Sequence, residues 1–176
     1  MNPIAERYAQ AFFSLAKDEG RVAEFKDEAV TLRRACSREL TRLLDMRSIG
    51  KDEKKALFAE CLAGADPYLM NLLYLLIDKG RGSHLPAILD MFVKYCNEEL
   101  NIQEALVYSA RPLTDDETAQ IARAIGSRFG KQVEITNRID ESLLAGTRIF
   151  INDRVYDSSL KAKVRSLKEE LLKESW

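Results

Sequence analysis

The chain has 176 residues, enough for one large domain or two small ones, and its 46% apolar and 31% charged residues are ordinary for a globular protein. Its net charge is −1, with 15 basic against 17 acidic side chains up to residue 104 and 12 against 11 beyond it. Nucleic-acid binding usually leaves a basic excess, because phosphate neutralisation dominates that affinity, so the balance argues against this class.

The cysteines and the N-terminal residues indicate the cellular compartment of the protein. The three cysteines, Cys36, Cys61 and Cys96, are widely spaced and include no C-x-x-C pair. We expect them to be buried, small apolar side chains in a reducing compartment. The first ten residues carry neither an export nor an organelle signal.

The first helix is predicted by a cap and a proline, Asn2-Pro3, and by the glycine that ends it, Gly20. Its apolar stripe is wider than packing on a core requires. Apolar residues then recur at three- and four-residue intervals from Val22 to Leu44. This pattern predicts one long amphipathic helix, or two separated near Ser37.

The most apolar stretch is Tyr68–Ile77, with the sequence YLMNLLYLLI. It follows a short predicted helix that ends at Gly64, begins after the pair Asp66-Pro67 and ends before Lys79-Gly80. Only Asn71 interrupts the apolar circumference, and the run is shorter than the roughly 20 residues that span a bilayer. The helix is either buried on all sides or offers one face to a partner, and periodicity leaves both open.

One more long helix is predicted up to Leu100, with Ser83 as its N-cap. Gly80 and Gly82 are predicted to form a turn, because no strand precedes them as a phosphate-binding loop requires. The only histidine, His84, is predicted to be an exposed first-turn residue, since no acidic residue is placed to form a relay with it. No ligand spacing predicts a metal, and no motif predicts a cofactor or catalytic residue.

Near residue 104 the spacing of apolar residues changes from a helical to a β-type pattern. β-prone runs are predicted at 105–110, 133–136, 148–151 and 154–156. The first two flank a helix that opens with a capping box between Thr114 and Glu117.

Turn residues and a last helix complete the second region. Asn152-Asp153 is predicted to be a two-residue hairpin turn, and Ala145-Gly146 a bulge or a close backbone approach. A final helix is predicted from Ser159, with apolar residues at three- and four-residue steps. The predicted fold class is α+β, with a helical bundle of five to six helices in residues 1–104 and a small β-α-β-β-β-α domain in residues 105–176.

Four stretches in the same order resemble one family: Arg7–Phe12 (RYAQAF), Asn71–Arg81, Ser109–Leu113 (SARPL), and the paired segments Ile139–Gly146 and Asn152–Ser159. Together they resemble the delta subunit of bacterial F-type ATP synthase, the family of the mitochondrial oligomycin-sensitivity-conferring protein. The family signature falls on Asp140, Ser142, Gly146, Asp153, Asp157 and Ser159. The sequence departs from the family pattern at Asn152 and Ser158, where glycine is common, which leaves the local turn geometry open.

The resemblance implies a non-catalytic stator subunit. It would link the alpha-subunit N-termini of the catalytic head to the b subunit of the peripheral stalk, so that rotation is coupled to proton-driven ATP synthesis. The expected location is peripheral, on the cytoplasmic face of a bacterial inner membrane, with no cofactor, no direct membrane insertion and no homo-oligomer in the complex.

The resemblance also implies where the partners bind. An alpha-subunit segment would lie as a helix in a groove formed by Tyr8, Ala11, Phe12, Leu15, Asn71, Leu72, Leu75 and Leu76. The b subunit would meet Val107–Leu113 and the signature region. Two alternatives are a generic helical-groove adaptor with another partner and, less favoured by the charge balance, a nucleic-acid-binding regulator.

Overall fold

The computed structural model describes residues 2–46, 48–143, 145–152 and 154–157. The chain divides into two compact units, Met1–Leu100 and Asn101–Trp176. The described part of the first unit is helical and that of the second combines one α-helix with a sheet, so the α+β prediction is confirmed.

The described residues of the first unit form six α-helices. They are α1 Pro3–Asp18, α2 Val22–Ala35, α3 Arg38–Asp45, α4 Lys51–Cys61, α5 Pro67–Asp78 and α6 Leu85–Glu99. The chain breaks between α2 and α3 as one of the two alternatives predicted, and Ser37 caps α3 by accepting a hydrogen bond from the Leu40 N–H at 3.1 Å. The prediction that Ser83 caps the last helix is wrong, because a single 3-10 turn precedes α6 and the Ser83 N–H donates to Asp45 at 3.0 Å.

The core of this unit is built around α1, α2 and α6. Phe12 on α1 lies between two rings, with centroid distances of 5.6 Å to Phe25 and 4.6 Å to Phe92. The other buried positions of α1 are alanines, Ala5, Ala9 and Ala16, each with no exposed surface. Because alanine adds little bulk, the backbones of α1 and α6 approach closely along this face.

Polar contacts fix both ends of the α1–α6 pair. The Asn2 side chain caps α1 through its oxygen, and its nitrogen lies 3.0 Å from Nδ1 of His84. At the other end Lys17 pairs with Glu99 at 3.0 Å. His84 is therefore half-buried and hydrogen-bonded, which corrects its prediction as an exposed residue.

The cysteines follow their prediction only in part. Cys96 is buried, and burial raises the pKa of its thiol to about 12. Cys36 is half-buried, and burial likewise raises its pKa. Cys61 near the end of α4 is exposed, so the prediction of a buried side chain is wrong there.

The described residues of the second unit form a four-stranded mixed sheet with a helix on one face. Its elements are β1 Ile102–Ser109, α7 Asp115–Phe129, β2 Gln132–Ile139, β3 Thr147–Ile151 and β4 Arg154–Asp157. The strand order is β2-β1-β3-β4, with β1 and β2 parallel and the other neighbours antiparallel. β1 and β2 are longer than predicted, and the helix predicted from Ser159 lies outside the described residues.

Local chemistry explains the boundaries of the second unit. The capping box of α7 is present, with Thr114 accepting from the Glu117 N–H and Glu117 accepting from the Thr114 N–H. Ile125 and its α7 neighbours pack on Ala105 and Ile151 of the sheet. The β3–β4 hairpin turns at Asn152, whose φ of +50° is a conformation that asparagine tolerates.

The turn before α6 yields a prediction for stability. Gly82 is buried, and a Cβ added there would overlap the side chain of Leu44 on α3. The Leu44 backbone is itself held, because its carbonyl accepts a 2.7 Å hydrogen bond from the buried Lys54. We therefore expect Gly82→Ala to lower the free energy of unfolding by roughly 1–3 kcal/mol, measured by urea denaturation of the full chain followed by helical circular dichroism.

The matched control is Gly50→Ala. Gly50 has an ordinary φ of −61°, and an added Cβ there meets no atom within 4 Å. We expect a change below about 0.5 kcal/mol. Equal effects of the two substitutions would show that the close approach to Leu44 does not limit the fold.

Candidate partner-binding groove

Helices α1 and α5 run antiparallel, and two polar contacts link the residues at their ends. Near the start of α1, the guanidinium of Arg81 donates to the Tyr8 hydroxyl at 3.0 Å and lies 5.7 Å from the centre of its ring. Near the end of α1, the Tyr68 hydroxyl donates to the Glu19 carboxylate at 3.0 Å. The principal packing partners of α1 are α6 and α2 rather than α5. The resemblance to the family implies a groove on the exposed sides of α1 and α5 between these two contacts.

Helical spacing defines one row of residues on each helix that contains the contacting tyrosine. On α1 the row containing Tyr8 runs through Ile4, Tyr8, Ala11 and Leu15, in steps of four, three and four residues. On α5 the row containing Tyr68 runs through Tyr68, Leu72, Leu75 and Lys79 in the same steps. Tyr8 contacts Arg81, which follows α5, and Tyr68 contacts Glu19, which follows α1, so these two rows are the candidate walls of the groove.

The eight residues implied for the groove divide by exposure. Ala11, Asn71 and Leu75 are exposed, with Leu75 at 44%, and Tyr8 and Leu15 are half-buried. Phe12, Leu72 and Leu76 belong to the core, with 5%, 8% and 0% of their surface exposed. The side chains of these three residues are therefore buried in the core and do not provide an exposed lining.

The start of α5 is held by Asp66, whose side chain is 6% exposed. Its carboxylate accepts the Tyr68 N–H at 2.8 Å and pairs with Arg21 at 2.8 Å. Its own N–H donates to Glu28 at 3.0 Å. These bonds fix the helix terminus from which Tyr68 reaches Glu19, and that contact raises the pKa of the Tyr68 hydroxyl.

In the second unit, the signature residues that the structure describes shape turns. Asp140 accepts the Ser142 N–H at 3.0 Å, and its own N–H donates to the Ser109 carbonyl at 2.9 Å. Gly146 has φ of +85° at the entry to β3, as expected for an irregular turn. Asp157 pairs with Arg148 across the hairpin at 3.1 Å. Asp153 and Ser159 lie outside the described residues.

The segment implied for stalk attachment, Val107–Leu113, is buried at its start and exposed further on. Val107 is 0% exposed and Ser109 3%, whereas Arg111 and Pro112 are at the surface.

Sequence reasoning missed Asn137, which organises this segment. Its nitrogen donates to the Val107 carbonyl at 3.0 Å and to the Ser109 hydroxyl at 2.7 Å, and its oxygen accepts the Leu113 N–H at 3.1 Å. The single signal in the sequence is a polar amide directly after the predicted β-prone run 133–136.

Within this segment, Arg111 forms a bidentate ion pair with Glu117 of α7, with a shortest distance of 2.7 Å. This pair and the Thr114 backbone N–H hold the pKa of Glu117 down at about 2. Together with Ser109, Gly146 and Thr147 they line an open cleft of about 470 Å³ at the end of β1.

The part of the chain that the structure describes contains neither a metal-binding cluster nor a membrane-spanning helix. Over residues 2–46, 48–143, 145–152 and 154–157, no group of three or more histidine, cysteine or acidic side chains is placed to hold a metal ion. Within the same ranges, no helix is both long and apolar enough to span a bilayer.

Comparisons with known proteins decide the family. The family model described as ATP synthase delta (OSCP) subunit matches residues 4–171. The chain belongs to this family. It is 36% identical over 173 residues to the ATP synthase subunit delta of Bacillus cereus (strain B4264), and 35% identical over 173 residues to that of Bacillus cytotoxicus. Each alignment covers 97% of this chain and 96% of the relative, and the resemblance stated from the motifs is confirmed.

A solved structure shows the same fold. One chain of the cryo-EM structure of the Toxoplasma gondii mitochondrial ATP synthase hexamer aligns with a TM-score of 0.67 and 21% identity. The alignment covers 96% of this chain and 97% of that chain. The subunit's architecture is therefore shared with a mitochondrial assembly at low sequence identity.

The division between groove lining and core predicts opposite outcomes for two adjacent leucines. Leu76→Arg places a charge in the core and is expected to lower the free energy of unfolding by roughly 3 kcal/mol or more. Leu75→Arg places the same charge at a half-exposed position and is expected to change it by less than about 0.5 kcal/mol. Urea denaturation of both variants checks this, and a Leu75→Arg variant that unfolds as readily as Leu76→Arg would place Leu75 in the core.

The low pKa of Glu117 predicts an acid dependence. A carboxyl whose pKa is lowered by folding stabilises the native state above its unfolded pKa of roughly 4.3, and that contribution is lost as the pH falls towards about 2. We expect the Glu117 side-chain carboxyl to titrate at about 2 by NMR, and at a clearly higher pH in Arg111→Gln. An unchanged titration in Arg111→Gln would show that the ion pair is not the main cause.

Proposed function

We propose that this chain is a non-catalytic stator subunit, which ties the catalytic head of an F-type ATP synthase to its peripheral stalk. Membership in the delta (OSCP) family supports the assignment to the ATP synthase. A stator subunit must resist torque and carries out no chemistry, so its function depends on the surfaces that bind its partners. The observation that carries the proposal is the set of exposed and half-buried apolar residues on α1 and α5 that no core contact requires, such as Ala11 and Leu75.

The groove is proposed to bind N-terminal segments of the alpha subunits as helices. Its exposed lining combines Ala11 and Leu75 with the half-buried Tyr8 and Leu15, which suits the apolar face of an amphipathic helix. The walls are fixed in advance by the contacts of Tyr8 with Arg81 and of Tyr68 with Glu19. Walls fixed before binding lower the entropy lost on association.

The second unit is proposed to meet the b subunit of the stalk. The exposed residues Arg111 and Pro112 and the cleft beside Gly146 form a surface held by Asn137 and by the Arg111–Glu117 pair. A dissociation constant near 1 nM corresponds to about 12 kcal/mol. Two attachments on one chain reach such a strength more readily than one, because the second binding event becomes intramolecular.

The proposed location is peripheral, on the cytoplasmic face of a bacterial inner membrane. The names of the Bacillus relatives support a bacterial ATP synthase. In this proposal the chain reaches the membrane through its partners and has no catalytic residues of its own.

The groove is tested with a synthetic peptide of the alpha-subunit N-terminus from the same ATP synthase, titrated into the full chain by calorimetry. Ala11→Arg puts a long charged side chain on the exposed wall, and we expect it to weaken binding by about 2 kcal/mol or more, roughly thirtyfold. Helical circular dichroism should be unchanged, since Ala11 is exposed.

The matched control is Ala59→Arg, the same change at an exposed position of α4. It is expected to leave the affinity at the wild-type value. No binding of the peptide to the wild-type chain would contradict the proposed function, and equal loss in both variants would contradict the groove as its site.

A further inference from the structure

One end of the groove is basic. Arg81 lies in the wall beside Tyr8, within hydrogen-bond distance of its hydroxyl. Lys79 ends the groove row of α5 and is exposed. Arg7, one turn before Ala11 on α1, is also exposed at this end. Three cationic side chains therefore surround the place where α1 begins and α5 ends.

The opposite end is acidic. Glu19, immediately after α1, lies in the wall beside Tyr68. Asp18, the last residue of α1, is exposed two turns beyond Ala11 on the same side of the helix. The neighbouring carboxylate of Asp66 is compensated by its ion pair with Arg21 at 2.8 Å. The groove thus carries positive charge at one end, negative charge at the other and apolar side chains between.

Many helices carry opposite charges at their two ends, as the proposed groove does. Acidic side chains favour the first turn of a helix and basic side chains the last turn, because each interacts favourably with the helix dipole. Such a helix complements the groove in one direction, with its acidic first turn against Arg7, Lys79 and Arg81. The ends of the dipole amount to about half a charge each, so full side-chain charges outweigh them.

Resting on the proposed function, we propose that the groove selects and orients its ligand by charge. The ligand is an amphipathic helix with an acidic first turn and a basic last turn, and it lies parallel to α1 and antiparallel to α5. Its acidic turn lies at the Tyr8–Arg81 end and its basic turn at the Tyr68–Glu19 end. Apolar contacts supply the affinity, while the two charged ends fix the direction.

Orientation is measured by NMR with a spin label at either end of the alpha-subunit N-terminal peptide, bound to the isotope-labelled full chain. A label at the peptide N-terminus should broaden the backbone signals of Tyr8 and Arg81. A label at its C-terminus should broaden those of Glu19 and Tyr68. The reverse pattern, or equal broadening at both ends, would overturn the proposed orientation although the peptide binds.

Charge reversal provides the second test. Lys79→Glu is expected to weaken binding by roughly two- to fivefold at low salt, and by less at high salt, because exposed charges are screened. The matched control Lys94→Glu makes the same change at an exposed position of α6, outside both groove rows, and should have no effect. A peptide of equal composition with the charges of its two ends exchanged should bind roughly tenfold more weakly at low salt.

The outcomes separate the two proposals. Equal affinity of the two peptides, or equal effects of Lys79→Glu and Lys94→Glu, would overturn charge selection while leaving the groove as the binding site. Failure of the native alpha-subunit peptide to bind the wild-type chain would instead remove the proposed function itself.

Discussion

The structure of the first unit depends on the packing of one face of α1 against α6 and α2. Alanines at three buried positions bring α1 close to α6, and Phe12 fills the space between Phe25 and Phe92. This packing uses one face of α1 and leaves the row through Ile4, Tyr8, Ala11 and Leu15 on its flank. Contacts at two points, Tyr8 with Arg81 and Tyr68 with Glu19, link that flank to the ends of α5. The proposed groove lies between these contacts, next to the residues that build the core.

Both units use side-chain hydrogen bonds to fix the ends of elements whose surfaces are proposed to bind partners. Asp66 holds the start of α5, and the Thr114–Glu117 capping box holds the start of α7. Several residues of the family pattern are of this kind: Asp140 closes a turn and Asp157 pairs across a hairpin. The exposed residues beside them, such as Leu75 and Arg111, are the ones available to a partner.

Much of the fold could be predicted from the sequence, because its signals are local. Proline and cap residues mark α1 and α5, the spacing of apolar residues marks α2 and α6, and a capping box marks α7. The prediction that Ser83 is an N-cap was wrong because its backbone N–H donates to Asp45 on another helix. A contact between distant residues leaves no signal in the local sequence. The same limit applies to the groove: on an almost wholly apolar helix, periodicity cannot separate Leu75 from Leu76, and tertiary packing decides which one is exposed.

The central claim is that the space between α1 and α5 is a binding site for a helix. It is tested most directly by mapping backbone chemical-shift changes over the full chain as the alpha-subunit N-terminal peptide is added. The account predicts that the largest changes follow Tyr8, Ala11 and Leu15 on α1 and Leu72 and Leu75 on α5. Changes concentrated on α2, α4 or the second unit, with α1 and α5 unaffected, would contradict it.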